Sequence, residues 1–183
     1  TTDLIRRRWL DNDFYVANAS LNYKDNSLDV VTGALYSTYR GDHFGEVIWA
    51  QNAGGTSIND RYYDGDATKN EMSAFAKATY RINNQWSIYG DLQTRFIDYT
   101  TGGINADLLD FVIDENYSFF NPKAGATFKL SKENQFYASF ARANREPNRT
   151  DFENGAPKPE RLDDFELGWR YATSTVSLNV NGY

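Results

Sequence analysis

From Phe14 onward the chain alternates with period two: Tyr15, Ala17, Ala19, Leu21 and Tyr23 fall on one side, Asn18, Ser20, Asn22 and Lys24 on the other. Alternation of this kind makes a β-strand with one apolar face. Asp25-Asn26-Ser27 is turn chemistry, after which Leu28, Val30, Ala34 and Tyr36 resume the apolar side, with Val31 and Leu35 out of step. The cleanest stretch sets Met72, Ala74, Ala76, Ala78, Tyr80 and Ile82 against Glu71, Ser73, Lys77, Thr79 and Arg81; Phe75 alone interrupts it. Beyond Asn83-Asn84-Gln85, the residues Trp86, Ile88, Leu92 and Phe96 face away from Ser87, Asp91, Gln93 and Arg95. The apolar side returns in Phe120 to Leu130, in Phe136, Ala138 and Phe140, in Phe165, Leu167, Trp169 and Tyr171, and in Val176, Leu178 and Val180. Pro122 has no N–H to give a ladder and belongs near the beginning of its strand.

This pattern predicts an all-β chain: an antiparallel up-and-down meander of about eight strands, roughly 14–24, 28–39, 71–82, 85–98, 118–130, 135–145, 161–172 and 175–183. The connections alternate between short ones near residues 25, 84, 132 and 173 and long ones at 40–70, 99–117 and 146–160. A meander returns to the same side at every second connection, and outer-membrane barrels have short periplasmic turns and long extracellular loops. Ala106 to Phe111 predicts a helical turn inside its loop.

Two readings fit a sheet with Lys77, Arg81, Asp91, Gln93, Arg95, Lys123, Lys129, Glu166 and Arg170 on one face. Either the apolar face is the core of a soluble sandwich, or it meets lipid and the charges line a lumen. A sandwich strand runs about five or six residues, whereas a tilted bilayer-spanning strand needs about nine to eleven. The strands meet the longer requirement, and their many alanines make a poor sandwich core, which favours lipid.

Composition agrees. Mean hydropathy is −0.67 and no long apolar run exists, which excludes a membrane-spanning helix but not spanning strands. Aromatic residues make up 16% of the chain, suiting strands and interfacial girdles. A net charge of −6 lacks the basic excess that neutralises phosphates, so nucleic acid is not an expected partner. With no cysteine and only His43, neither a disulfide framework, a thiolate site nor a multi-histidine metal centre is expected. The arginine-rich start at Arg6-Arg7-Arg8 is not a signal peptide, and the chain is expected to begin inside a longer protein.

The run Phe119-Phe120-Asn121-Pro122-Lys123-Ala124-Gly125, then Tyr137-Ala138-Ser139-Phe140-Ala141, Asn144-Arg145-Glu146-Pro147, Pro157-Lys158-Pro159-Glu160 and Glu166-Leu167-Gly168 resembles TonB-dependent outer-membrane receptors, most closely those of Bacteroidetes-type bacteria. Arg8 to Tyr15 and Gly41 to Glu46 also resemble that group, so the likeness covers nearly the whole chain. The resemblance implies that residues 1–183 are an internal part of a 22-stranded transmembrane barrel in the bacterial outer membrane. Implied partners are membrane lipid, a plug domain, the remaining strands, the TonB complex through an N-terminal region absent here, and a small-molecule or chelate substrate. The implied activity is uptake of a scarce nutrient, with an iron–siderophore chelate expected first and cobalamin, haem or oligosaccharide also open. Two alternatives stand beside it: a small eight-stranded structural or adhesion barrel, and a soluble β carbohydrate-binding module.

Arg61, Tyr62 and Tyr63 combine charge, hydrogen bonding and flat apolar surface and are candidate ligand contacts in a loop. Arg145, Glu146, Arg149, Asp151, Glu160, Asp163 and Glu166 bracket a proline-containing loop and are expected to brace it through charge-assisted pairs. Asp60, Asp64 and Asp66 have hard oxygens for calcium but lack the distal acidic ligand, so a solvated acidic loop is the expectation. His43 beside Asp42 is expected to be exposed or packed in its loop. No nucleophile, base and orienting group form a recognisable constellation, so neither an enzyme nor a cofactor is expected.

Overall fold

A computed structural model describes residues 3–52, 54–55, 57–105, 108–155 and 157–183. Its four short turns share one device, in which a side-chain oxygen at the first turn position accepts two backbone N–H groups. Asp25 Oδ1 accepts from Ser27 at 2.7 Å and Leu28 at 2.8 Å, and Asn83 Oδ1 from Gln85 and Trp86, both at 2.8 Å. Ser131 Oγ does the same for Glu133 and Asn134, and Thr173 Oγ1 for Thr175 and Val176. Asp, Asn, Ser and Thr suit such positions because their short polar side chains substitute for the missing partner strand. At Asp25 the N–H groups of Ser27 and Leu28 favour the ionised carboxylate and hold its pKa below the usual range.

The strands are β1 (Leu4–Lys24), β2 (Leu28–Ala50), β3 (Arg61–Arg81), β4 (Trp86–Ile104), β5 (Ile113–Lys129), β6 (Asn134–Arg145), β7 (Glu160–Ala172) and β8 (Ser177–Gly182). They form one eight-stranded sheet in sequence order, with β1 and β8 at its two ends. One sheet in meander order matches the expected architecture, and no second sheet packs against it among the described residues.

Several strands run well past their expected limits: β1 starts at Leu4 rather than near 14, β2 reaches Ala50, and β3 starts at Arg61. The loops expected at 40–70 and 99–117 contract to 51–60 and 105–112. In the added segments, such as Arg40-Gly41-Asp42-His43-Phe44, both faces mix polar and aromatic residues. The ladder continues there without an apolar side, and periodicity gives no sign of it. Ala106 and Asp107, the start of the expected helical turn, lie outside the described residues. Between β6 and β7 a five-residue helix, α1 (Arg149–Glu153), stands where only a loop was expected. Asn148 and Asp151 close its first turn as a reciprocal capping box.

The register of β5 to β8 sorts the apolar face into rows. Phe128, Phe136, Trp169 and Val180 lie opposite one another in turn, Ala126, Ala138, Leu167 and Gly182 form the next row, and Ala124, Phe140 and Phe165 the one after. Burial falls on the opposite face. Ile97, 1% exposed, and the buried Phe119 and Asn121 share the side of Arg95, whereas Leu21, Phe165 and Leu167 stay 75%, 69% and 69% exposed.

The chain divides into two compact units. The first comprises Thr1–Ala17, Tyr36–Met72 and Phe96–Tyr117, the strand portions toward the longer connections 51–60 and 105–112. Thr101, buried there, donates its hydroxyl to the Asp66 carbonyl at 2.6 Å. Gly103, at φ 102°, lies so close to the Asp64 carbonyl that a side chain has no room. The second comprises Asn18–Leu35, Ser73–Arg95 and Ser118–Tyr183, and holds the four short turns, the rows described above and α1.

Candidate functional site

In the first unit, β1, β2 and β3 bring together arginines and aromatic rings. The Arg61 guanidinium lies 3.6 Å from the Phe44 ring centre, and Phe44 stacks on Trp9 at 6.2 Å. Arg7 covers Trp9 at 4.7 Å, and the Glu46 carboxylate accepts from both Arg7, at 2.8 Å, and the Trp9 indole, at 3.0 Å. Arg61 Nη1 also donates to both carboxylate oxygens of Asp64, at 3.0 and 2.9 Å. A cation held against a ring and a carboxylate keeps one orientation.

The three candidate ligand contacts therefore open strand β3 rather than lying in a loop. They also differ in access. Arg61 keeps 43% of its side chain exposed, while Tyr63 is buried and meets Tyr62 edge-on at 5.0 Å. Both tyrosine rings crowd Gly45, where a Cβ has no room, and Arg6 lies 5.2 Å from the Tyr62 ring. Sequence reasoning misses Arg7, Trp9, Phe44 and Glu46 as members of the cluster in which Arg61 lies. Their spacing along the chain gives no hint of it, since only strand pairing brings them together.

Asp64 is engaged by Arg61 and Asp60 accepts the Ser57 N–H at 2.7 Å; among the described residues no three acidic or histidine side chains gather as metal ligands. His43 hydrogen-bonds the Tyr39 hydroxyl at 3.0 Å.

In the second unit the seven charges expected to brace one loop separate into different roles. Arg145 bonds Glu160 at 2.6 Å and approaches Asp151 at 4.0 Å, linking the end of β6, the start of β7 and α1. Arg149 pairs with Glu153 within the helix. Glu146 turns to the polar face, where it meets Arg95 at 3.3 Å with both side chains mostly buried. Beside it, buried Asn121 donates to Gln93 and accepts from the Asn144 side chain at 2.8 Å. Glu166 lies in the middle of β7 and accepts from the Tyr137 hydroxyl at 2.7 Å and from Asn181 at 2.8 Å. Asp163 is on the apolar side of β7, held by Arg142 and Arg161.

A meander with an exposed apolar face and a hydrogen-bonded, charged opposite face is the wall of a transmembrane β-barrel, lipid on one side and a polar lumen on the other. The model of the family described as TonB dependent receptor-like, beta-barrel, matches residues 2–183, and the chain belongs to that family of bacterial outer-membrane proteins. Solved structures agree on the fold. The ferric yersiniabactin uptake receptor FyuA from Yersinia pestis matches with a TM-score of 0.66 at 16% identity, over 96% of this chain and 28% of that one. The ferric citrate transporter FecA in its unliganded form matches at 0.65 and 13%, covering 96% and 28%. The copper transporter OprC matches at 0.71 and 13%, covering 96% and 30%. The chain thus spans less than a third of the receptors it matches.

Proposed function

We propose that the receptor containing this chain takes up a scarce nutrient across the outer membrane in a TonB-dependent way, with an iron–siderophore chelate as cargo. The observation that carries this reading is the polar face itself. Arg95, Glu146, Asn121, Gln93 and Asn144 are fixed by one another, so the lumen wall is polar and ordered. A wall of that kind suits an enclosed plug and a hydrophilic cargo. Receptors of the same fold that handle ferric chelates support the choice of cargo. This chain supplies wall and outward connections, while the plug and the TonB-contacting segment come from the rest of the receptor. Arg61, backed by Tyr62 and Tyr63, contacts the ligand, and the pairs of Arg145 brace the β6–β7 connection. The role is binding and passage, not catalysis.

Radiolabelled iron uptake by iron-starved cells tests the reading. Deleting the receptor or TonB should abolish accumulation of at least one ferric chelate, and Arg61→Ala should raise the half-saturating concentration about tenfold, as loss of one charge-assisted contact does. Undiminished uptake of every ferric chelate without the receptor would rule out iron as cargo.

A further inference from the structure

We propose that Arg6 and Tyr62 form a carboxylate-binding pair on the lumen face of the first unit, and that the chelate taken up carries a carboxylate free of the metal. The pair rests on the geometry of the wall; only its assignment to a chelate rests on the uptake reading.

Burial falls on the lumen face, as at Ile97. In β2 and β3 the buried positions of the first unit, Gly41 with Gly45 and Tyr63 with Ala67, keep the even spacing of one face. A Cβ at Gly45 would meet the Tyr63 ring and the Tyr62 ring together, so both tyrosines lean over the lumen-facing backbone of β2. Tyr62 meets Tyr63 edge-on at 5.0 Å, and the Arg6 guanidinium stands 5.2 Å from its ring centre.

Both polar groups of this arrangement are unused. The Tyr62 hydroxyl is buried and has no hydrogen-bond partner among the described residues. Arg6 is exposed, and among the described residues no ion pair or hydrogen bond engages its guanidinium. A hydroxyl enclosed without a partner has lost its water and gained nothing in return, so an acceptor that reaches it restores a full hydrogen bond. Beside it the guanidinium presents a planar fork of donors. Donors alone, one group of them cationic, call for an anionic acceptor with two oxygens. A carboxylate answers this: one oxygen takes the arginine fork and the other the Tyr62 hydroxyl, once the ring turns off Gly45. That rotation breaks no hydrogen bond of the Tyr62 side chain. A carboxylate coordinated to ferric iron has given its charge to the metal, so the group recognised lies outside the coordination sphere.

Tryptophan-fluorescence titration of the complete receptor in detergent tests the pair. The probe is a linear ferric trihydroxamate whose terminal amine is left free, acetylated or succinylated, so that only the end group changes. The succinylated chelate, which ends in a carboxylate, should bind about tenfold more tightly than the acetylated one, and the iron-free forms should keep that order. Arg6→Gln should abolish the preference, and Arg6→Lys, which keeps the charge without the fork, should retain part of it. Tyr62→Phe should cut the preference about threefold and leave the urea midpoint unchanged or higher, because the hydroxyl it removes is unpaired. Succinylated and acetylated forms that bind alike, or that both fail to bind, would overturn the proposal. A Tyr62→Phe receptor that unfolds at lower urea would overturn it too, as would an Arg6→Gln receptor that does so with the preference intact, since either means that the receptor's own groups occupy the pair. A preference in detergent beside undiminished iron uptake after deletion of the receptor would support the pair while refuting the uptake reading.

Discussion

Tyr137 lies across its directly opposed partner Gly168, its ring filling the space that a Cβ at position 168 would need. The hydroxyl of the same ring reaches Glu166, and Arg170 covers the ring at 4.8 Å. The arrangement recurs on the lumen face, where Tyr89 crowds Gly125 in the same way. An aromatic side chain laid over a strand glycine restores the apolar cover that the glycine lacks and pins the register of the pair. Gly168→Ala should therefore destabilise the folded receptor by about 1–3 kcal/mol, the cost of overpacking. Adding Tyr137→Ala should recover part of that loss. Urea unfolding in detergent reads both; a Gly168→Ala variant as stable as the wild type would show that the ring moves aside freely.

The band of the sheet with one apolar face was legible in the sequence because strict alternation marks it. Met72 to Ile82 and Phe120 to Leu130 alternate apolar and polar residues almost without interruption. Where Arg40 to Ala50 and Arg61 to Gly65 continue their strands, nothing distinguishes the faces, so the same backbone read as loop. The short turns were legible from Asp25, Asn83, Ser131 and Thr173, whose side chains do the capping themselves. Pairings across strands were not. Arg61 with Phe44, and Arg95 with Glu146, are separated by 17 and 51 residues, and no local signal joins them. The helix α1 left a trace in Asn148 and Asp151, three apart after Pro147, which is a capping signal with aspartate in place of the commoner glutamate.

Arg95 and Glu146 form an enclosed ion pair on the second unit's polar face, 19% and 10% exposed. Removing one partner leaves the other charge desolvated, so Arg95→Ala should cost about 3 kcal/mol. Replacing both, Arg95→Leu with Glu146→Leu, should return most of that stability because no charge is left behind. A double-mutant cycle by urea unfolding measures the difference. Single and double variants of equal stability would mean that solvent reaches the pair freely.

The orientation of the wall is open to direct labelling. Cysteines at Ala76 and Ala78 in the complete receptor should react with a lipid-phase probe, and cysteines at Lys77 and Thr79 should not. Labelling in the reverse pattern would turn the sheet inside out.

Topology is tested at the connections. Gly54 and Gly55, with positive φ and open space around them, tolerate an inserted epitope in the 51–60 connection, and the Asn83–Gln85 turn offers a site at the opposite end. Intact cells should bind antibody to a tag at Gly54 and not to one at Asn84. Display of the Asn84 tag with concealment of the other would invert the wall in the membrane.

The isolated 183-residue chain should not persist as a monomer in aqueous buffer. Its two end strands, β1 and β8, are exposed along their whole lengths and present unpaired backbone donors and acceptors. Its apolar face adds Leu21, Phe165 and Leu167 at 69% exposure or more, with Tyr15 at 62%. Each fully exposed side chain of this size forgoes about 1.5–3 kcal/mol of burial, so association that covers several is strongly favoured. Folding the sheet on itself with the apolar face outward does not relieve this, because that face still needs lipid. Turning it inward drives Lys77, Arg81, Arg95 and Arg170 outward, where water accepts them, but forces the aromatic rows into a space set by eight strands. Edge-to-edge oligomers or aggregates are the expected species, with detergent shifting them toward smaller ones. Size-exclusion chromatography with light scattering in detergent-free buffer measures this, and a monodisperse monomer with cooperative unfolding would contradict the barrel-wall account of the apolar face.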